Sequence, residues 1–315
     1  MKNSEKIDVA PTALIASSNK IKRDASDRAI VGFSYIFLGL YALLCLLPLV
    51  LVFSVSFSEE PLIARYGYSL FPRGFTFDTY LYIFDHSGHR IARSYGVTIF
   101  VTFVGTFLAM LMTTMTAFAL SIRSLKYRNK LAFLCNFTII FSAGLIPWYN
   151  AMVNFYSLNN TIWGLILPAS FSVWNMFLMR TFFNQISSSL YESARIDGAN
   201  YFQVYYKIAL PLSKTALLTV GLMYALMYWN DWWHALLLVS GNRDLYPLQF
   251  YLYSLLSNIA ALTTGQVAGL GSRIRLPAET ARMAVTIITI GPIILLYPFI
   301  QRFFIANIMS GAVKE

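Results

Sequence analysis

Charged side chains are scarce in this sequence: aspartate, glutamate, lysine and arginine together make up only 12% of its 315 residues. Soluble domains carry about 25%, because they need these side chains on a surface that meets water. Hydrophobic residues make up 57% of the chain, and its mean hydropathy is +0.58. The composition therefore excludes a soluble enzyme and a disordered chain, and it favours a protein that crosses a membrane several times.

Cysteine and histidine, which build disulfides and metal sites, are also scarce. Cys45 and Cys135 are the two cysteines, and both lie in apolar runs, which argues against a disulfide framework. Of the three histidines, His86 and His89 share a loop with Asp85, but these groups alone do not predict a metal site. No serine-protease-like arrangement and no carboxylate pair lies within an apolar run. We therefore expect a chain that is not an enzyme and holds no metal or cofactor of its own.

The sequence does contain six apolar runs, each long enough to cross about 30 Å of hydrocarbon as a helix. They lie at roughly 30–57, 94–122, 131–155, 163–183, 212–240 and 283–305. The predicted fold class is an all-α polytopic membrane protein with six transmembrane helices. We expect a polar cytoplasmic N-terminal tail over 1–29, a first transmembrane helix over 30–57, a transmembrane domain over 90–305 and a cytoplasmic C-terminal tail over 306–315.

Lysine and arginine predict the orientation of these helices, because cytoplasmic connections are enriched in them. If the N-terminus is inside, the inner segments carry sixteen basic residues and the outer segments eight. A net charge of +10 can also indicate nucleic-acid binding, but the apolar runs favour a membrane here. The charged leader is too long for a cleaved signal peptide. We therefore predict a multi-pass cell-membrane protein with both termini in the cytoplasm, and no nucleic-acid partner.

One inner connection, residues 187–211, is patterned like a folded element. Ser189 followed three residues later by Glu192 predicts a capping box, and so a short helix. Gly198 then permits a sharp change of direction, and a second short helix follows. Pro211 ends that helix or lies in the first turn of the fifth span. The pattern predicts a helix–turn–helix on the cytoplasmic face.

This connection resembles the EAA loop of the transmembrane subunits of binding-protein-dependent ABC importers, in which Glu-Ala-Ala is followed by a glycine and then by Ile-x-Leu-Pro. The matching residues are Glu192, Ser193, Ala194, Asp197, Gly198, Ala199, Ile208, Leu210 and Pro211. Ser193 is the one departure, and it is small like the alanine that it replaces. Residues 229–232 and 311–314 are similar to segments of the carbohydrate-type permeases, and residues 246–249 resemble the polysaccharide-type branch in particular.

The resemblance implies a MetI-like fold of the type I ABC permeases, with the EAA-like loop as cytoplasmic coupling helices. It also implies a heterodimer with a second permease subunit, two ATP-binding subunits that hold ATP and Mg²⁺, and an extracytoplasmic solute-binding protein that delivers an oligosaccharide. The chain lacks the sequence G-x-x-x-x-G-K-S/T that cradles ATP phosphates, so ATP hydrolysis is expected in its partners. Glu192 either caps its own helix alone or also contacts a cation of the ATPase.

The fifth apolar run holds the main group of polar residues within a predicted span. A charged aspartate at this depth costs a few kcal/mol, so it should face protein or water. Sugars bind on aromatic faces, with amides and carboxylates bonding their hydroxyls, which makes this segment a candidate substrate path. Its residues are Tyr228, Trp229, Asn230, Asp231, Trp232 and His234. Alternatively, the tryptophans form an interfacial belt, and Asn230 and Asp231 make hydrogen bonds between helices.

Four arginines of the first outer loop have three open interpretations: a solvated loop, a docking site for the binding protein, or a preference for an acidic glycan. They are Arg65, Arg73, Arg90 and Arg93. The function also has alternatives. A permease of the same class could carry a non-sugar solute, and a secondary carrier would work without an ATPase. A membrane-embedded enzyme would need clustered catalytic groups at one depth, which the sequence lacks.

Overall fold

The computed structural model describes residues 25–263, 279–292 and 294. Within those ranges the chain is helical and forms no β-strand, with one isolated bridge between Ser58 and Phe75. The chain divides into two units, Met1–Val50 and Leu51–Glu315. In the first unit, the described residues form most of a single apolar helix.

The helices are short except for two, and several runs contain π-helical turns. In chain order they are α1 Ala25–Ser56, α2 Glu60–Tyr66, α3 Asp78–Ser121, α4 Arg128–Ile140, α5 Leu145–Asn150 with a π-helical continuation Ala151–Phe155, α6 Trp163–Ile166, α7 Val173–Asn184, α8 Ser188–Ile196, α9 Tyr201–Val204 with a π-helical continuation Tyr205–Ala209, α10 Leu210–Leu212, α11 Lys214–Trp229, α12 Trp233–Leu238, a 3-10 turn Arg243–Leu245, α13 Leu248–Thr263 and α14 over residues 279–292.

The core of the second unit lies where α7 and α11 pack against α3. Tyr224 of α11 is fully buried there, and its hydroxyl lies 2.6 Å from Thr113 Oγ1 of α3. The same hydroxyl accepts a hydrogen bond of 2.9 Å from the backbone N–H of Ser172, just before α7. One buried side chain therefore ties three elements together, and every polar atom that it brings into the core is satisfied.

A close approach between α3 and α11 depends on Gly105. A Cβ atom at this position would lie 2.6 Å from the ring of Tyr228. Small residues let transmembrane helices approach in this way, so the ring of Tyr228 fills the space that any larger residue on α3 would need.

The predicted spans are interrupted more often than the sequence indicated. Four residues with no helical structure, 141–144, separate α4 from α5, with a bend of 114°, and Gly144 has a positive φ of 88°. The predicted fourth span consists of α6 and α7, which are separated by residues 167–172. The predicted fifth span breaks at residues 230–232. Glycine, proline and polar residues lie at these breaks, which explains why each predicted span does not form one straight helix.

Other bounds also differ from the prediction. Helix α3 has 44 residues and begins sixteen residues before the predicted second span. Helix α1 begins at Ala25, inside the predicted tail. Helix α13 lies in a segment predicted as an outer loop. The remainder of the sixth span, beyond residue 294, and the C-terminal tail lie outside the described residues.

Among the described residues, two helices are long and apolar enough to cross a membrane, and counting each strongly bent helix pair as one span raises the number to four. The two helices cover Ala29–Ser56 and Ser87–Ser121. The prediction of six spans therefore remains a prediction.

The first residue of α2, Glu60, bonds to the first described turn of α14 through its carboxylate. Glu60 accepts hydrogen bonds from the backbone N–H groups of Glu279 and Thr280, at 3.1 and 2.8 Å, and from the Thr280 hydroxyl at 2.7 Å. Tyr68 donates to the Glu279 carboxylate at 2.7 Å, and this bond raises the pKa of Tyr68. A carboxylate at a helix N-terminus satisfies free N–H groups and complements the helix dipole.

Glu60→Gln is expected to destabilise the protein by about 1.5–3 kcal/mol, because the amide loses the charge and one of two acceptor oxygens. Thermal unfolding of the purified protein in detergent measures the loss. Glu59→Gln is the matched control, since Glu59 makes no side-chain hydrogen bond within the described residues. Equal unfolding temperatures for the two variants would contradict the role of Glu60.

Candidate functional site

Residues 188–212, which we call the elbow, fold into the two short helices that the sequence predicted. However, the predicted capping box of Ser189 and Glu192 is wrong. Helix α8 begins at Ser188, so Ser189 already lies inside it, and the Ser189 hydroxyl pairs with that of Ser187 at 2.7 Å. Glu192 is exposed and makes no cap. Both alternatives for Glu192 included this cap, so the structure contradicts that part of each, and the contact with the ATPase stays a prediction.

The capping box of the elbow lies instead at the beginning of α9. Asn200 accepts a hydrogen bond from the Gln203 backbone N–H, and Gln203 accepts one from the Asn200 backbone N–H, both at 2.8 Å. Sequence reasoning missed this pair, although asparagine is a favoured N-cap residue and glutamine lies three residues later.

The turn between α8 and α9 depends on Gly198, as predicted from the sequence. Its φ is 86°, a left-handed conformation that glycine adopts without strain. The backbone N–H of Ala199 bonds to the carbonyl of Ala194 at 2.9 Å, and that of Gly198 bonds to Arg195 at 3.1 Å. This is the arrangement that commonly closes a helix at a glycine, and it sets the angle between the two helices.

One face of the elbow is anchored on α3. Tyr205 is buried, and its hydroxyl lies 2.8 Å from Thr114 Oγ1. The rings of Tyr191 and Tyr205 both contact Phe118, at centroid distances of 6.0 and 5.4 Å. Tyr191 also bonds to the carbonyl of Phe183 at the end of α7, and burial raises the pKa of Tyr191 to about 12. These contacts join the elbow to α3 and to the end of α7.

The opposite face of the elbow is open. Ile196 and Phe202 are 85% and 64% exposed, although both are large and apolar. The nine residues that match the EAA pattern divide between the faces. The partly buried ones are Ala194, Ala199, Ile208 and Leu210, whereas the exposed ones are Glu192, Ser193, Asp197, Gly198 and Pro211. Exposed apolar side chains of this size beside polar ones are typical of a surface that another protein covers.

The candidate substrate path lies at the break between α11 and α12. Asp231 accepts a hydrogen bond from the backbone N–H of His234 at 3.1 Å, and its second oxygen lies 2.8 Å from His234 Nδ1. The Asp231 and His234 side chains are only 12% and 23% exposed. Asn230 bonds back to the carbonyl of Leu226 and accepts a hydrogen bond from Gln249 of α13 at 3.3 Å. The polar residues therefore stabilise the break. Asn230 bonds to another helix, as the alternative interpretation expected, whereas among the described residues Asp231 bonds only to His234 three residues later.

The aromatic residues of this segment separate into buried and exposed ones. Tyr228 is 2% exposed, and its hydroxyl donates to the carbonyl of Ile166, so the structure places it in the core. Trp229 Nε1 is buried and has no hydrogen-bond partner among the described residues. Trp232 and Trp233 are exposed, and Trp232 stacks on Tyr253 of α13 at 4.8 Å.

Sequence reasoning missed the two α13 residues at this site, Gln249 and Tyr253, because that segment was predicted as a loop. Together the site offers an exposed aromatic stack, a carboxylate with an imidazole, and two amides. Such groups bind a ligand rich in hydroxyls. The described residues contain no group of three or more potential metal ligands, and the residues at the break form no nucleophile–base pair suited to hydrolysis.

Comparison with known proteins places the chain among membrane transport components. The family described as "Binding-protein-dependent transport system inner membrane component" matches residues 10–309. In Bacillus subtilis strain 168, the polygalacturonan/rhamnogalacturonan transport system permease protein YtcP is 37% identical over 280 residues, which cover 89% of this chain and 96% of the relative. Protein LplC of the same strain is 37% identical over 281 residues, covering 89% and 92%.

A more distant relative and a solved structure agree with this placement. The arabinooligosaccharides transport system permease protein AraQ of Halalkalibacterium halodurans is 28% identical over 288 residues, covering 90% of this chain and 95% of the relative. A crystal structure of a bacterial ABC transporter involved in the import of the acidic polysaccharide alginate contains a chain of the same fold. The TM-score is 0.76 at 29% identity, over 89% of this chain and 98% of that one.

Proposed function

Because the chain belongs to the family of binding-protein-dependent transport system inner membrane components, we propose that it forms, with a second permease subunit, the translocation pathway for an oligosaccharide. Permease subunits of this family are not themselves enzymes. Two of the relatives named above, YtcP and AraQ, are permease proteins of transport systems for polygalacturonan and rhamnogalacturonan and for arabinooligosaccharides, which supports a sugar rather than another solute. An extracytoplasmic solute-binding protein delivers the oligosaccharide.

The proposal of an ATP-driven mechanism rests on the elbow, which has one anchored face and one open face. Two ATP-binding subunits, which hold ATP and Mg²⁺, contact its open face through Glu192, Ile196 and Phe202. The anchored face, through Tyr191 and Tyr205, passes their closure to α3 and α7. Rigid-body movement of packed helices then opens the pathway alternately to the two sides. An ion-driven carrier has no use for such a docking surface.

The elbow lies on the cytoplasmic side in this proposal, and so do both chain termini. Tyr201 of the elbow lies within hydrogen-bonding distance of Ser124, at 3.2 Å. Ser124 belongs to the connection between α3 and α4, which carries Arg123 and Lys126 and no acid up to residue 130. The enrichment of basic residues in cytoplasmic connections therefore supports the same side for the elbow.

The experiment uses the tagged chain purified from its own cell with all associated subunits. We expect an ATPase and a second permease to co-purify, and the complex to import a labelled oligosaccharide into proteoliposomes only with ATP and the binding protein. Uptake by this chain alone under an ion gradient would overturn the ATP-driven mechanism. ATP-dependent import of a non-sugar solute, with no oligosaccharide imported, would overturn the substrate class alone.

The aromatic stack of Trp232 and Tyr253 gives a narrower prediction for the substrate path. Trp232→Leu removes the exposed ring, and it is expected to reduce ATP-dependent oligosaccharide uptake about 10-fold, as loss of about 1.4 kcal/mol of stacking would do. Trp232→Phe retains an aromatic face, so the stacking free energy that it loses should be less than half of the loss in Trp232→Leu. Equal uptake by the leucine and phenylalanine variants would contradict a sugar-stacking role.

A further inference from the structure

A second cleft, which we call the arginine cleft, lies away from the elbow and has a volume of about 590 Å³. Three elements form it: the first part of α3, the turn after α12, and α13, with α14 closing one side. The residues of α3 and of the α12–α13 turn that line the cleft lie about 150 residues apart in the sequence. Neither segment alone therefore predicts the cleft.

The cleft is strongly basic. Arg90, Arg93 and Arg243 line it, and Asp244 is its single carboxylate. Arg93 is already engaged, since its Nε donates to the Asp244 backbone carbonyl at 3.0 Å and lies 3.5 Å from the Asp244 carboxylate. Within the described part of the chain, Arg90 and Arg243 have no ion-pair partner. Two guanidinium groups are therefore available to an anion in a concave site.

The remaining lining suits a sugar better than a simple anion. Side chains that can bond hydroxyls or stack on a pyranose ring surround the two cations, namely Ser87, Tyr246, Tyr251, Ser254 and Asn258. A guanidinium binds a carboxylate with two parallel hydrogen bonds, which gives both strength and orientation. Aromatic rings and amides then recognise the uncharged part of the same molecule.

A series of aromatic rings connects the arginine cleft to the candidate substrate path. Tyr246 of the cleft contacts Phe250 at a centroid distance of 4.6 Å, and Phe250 stacks with Tyr253 at 6.1 Å. Tyr253 in turn stacks on Trp232 at 4.8 Å. The cleft and the aromatic site at the α11–α12 break are thus joined through packed rings, with the buried ring of Phe250 of α13 between them.

From these observations we infer that the arginine cleft binds the carboxylate groups of an acidic oligosaccharide, one that contains uronic acid residues, before it enters the aromatic path. This inference rests on the proposed transport of an oligosaccharide and narrows it to an anionic one. A concave, partly aromatic site favours a small ligand, whereas an acidic face of the binding protein would meet a flatter surface. Binding-protein docking is therefore the competing outcome.

The experiment measures equilibrium binding of two probes to the complete transporter in nanodiscs, without the binding protein. The probes are trigalacturonate and its fully methyl-esterified form, which has the same length but no charge. We expect the wild-type complex to bind the acid at least 10-fold more tightly than the ester, with an affinity that falls as salt is added. Arg90→Gln combined with Arg243→Gln should abolish this preference and leave ester binding unchanged.

Two controls and a second readout separate the outcomes. Arg65→Gln removes the charge of an exposed arginine of α2 that does not line the cleft. This variant should keep the preference for the acid. Arg90→Lys with Arg243→Lys should keep part of it. The second readout is binding-protein-stimulated ATPase activity without sugar. Its loss in the glutamine variant, together with an unchanged preference for the acid, would assign the cleft to binding-protein docking.

Equal wild-type affinity for acid and ester, or no binding of either, would overturn the inference. The proposed function fails in a different way, when the complete complex with ATP and binding protein imports no oligosaccharide at all. A complex that imports a neutral oligosaccharide but shows no preference for the acid retains the proposed function and loses only the anionic specificity.

Discussion

Replacing Gly198 with proline is expected to abolish sugar transport and to reduce binding-protein-stimulated ATP hydrolysis to the basal rate. Proline fixes φ near −65°, whereas the elbow needs 86° at this position. The substitution also removes the N–H group that bonds to the Arg195 carbonyl. Helix α9 then leaves α8 at a different angle, which changes the position of the exposed Phe202 relative to Ile196.

The matched control is Gly198→Ala. No atom lies within 4 Å of an added Cβ at this position, so alanine meets only the backbone cost of a left-handed conformation, about 1–2 kcal/mol. We expect the alanine variant to retain most of its stimulated ATPase activity. The measurement is ATPase activity of the purified complex with and without the sugar-loaded binding protein, after membrane insertion of each variant has been verified. Full stimulation in the proline variant would refute a coupling role for the elbow.

Gly105→Leu is expected to separate α3 from α11 and to destabilise the purified protein by about 1–3 kcal/mol, the usual cost of overpacking. An added Cβ would already lie 2.6 Å from the ring of Tyr228. That ring cannot move aside freely, because it is buried and its hydroxyl is bonded to the Ile166 carbonyl. Thermal unfolding in detergent measures the loss.

The same helix supplies the control for this substitution. Gly96→Leu also adds a leucine to α3, where no atom lies within 4 Å of the added Cβ, and it should leave the unfolding temperature unchanged or raise it. Tyr228→Ala in the Gly105→Leu background should recover part of the loss relative to the sum of the single variants. Strict additivity would mean that the two side chains do not compete for one space.

The sequence could predict the elements that depend on local patterns. Helix α1 follows from one apolar run, and the change of direction at Gly198 follows from the freedom of glycine. The break at Asn230 could not be predicted in the same way, since the polar residues in this run are also compatible with one continuous helix that faces protein or water. Its polar side chains bond to Leu226 and to Gln249 of α13, and that second partner exists only after the chain folds.

The candidate sites also combine features that the local sequence predicts with features that depend on tertiary contacts. The EAA-like residues lie close together in sequence, so their position on one elbow was predictable, but their division between a buried and an exposed face depends on Phe118 of a distant helix. The capping box was assigned to Ser189 because only the spacing was available. Helix α8 begins two residues earlier than this assignment requires, so Ser189 is not in the capping position. Tyr253 and Arg243 gained their roles from tertiary contacts alone.

Helix α3 runs without a break from Asp78 to Ser121. Arg90, near one end, lines the arginine cleft, and Phe118, near the other, holds the elbow. At 1.5 Å per residue, about 40 Å separates the two positions along a single rod. In the proposed mechanism, force that an ATP-hydrolysing partner applies to the elbow would reach Phe118 and displace the arginine cleft at the far end without passing through a hinge. The timing of ligand capture would then depend on the stiffness of one helix.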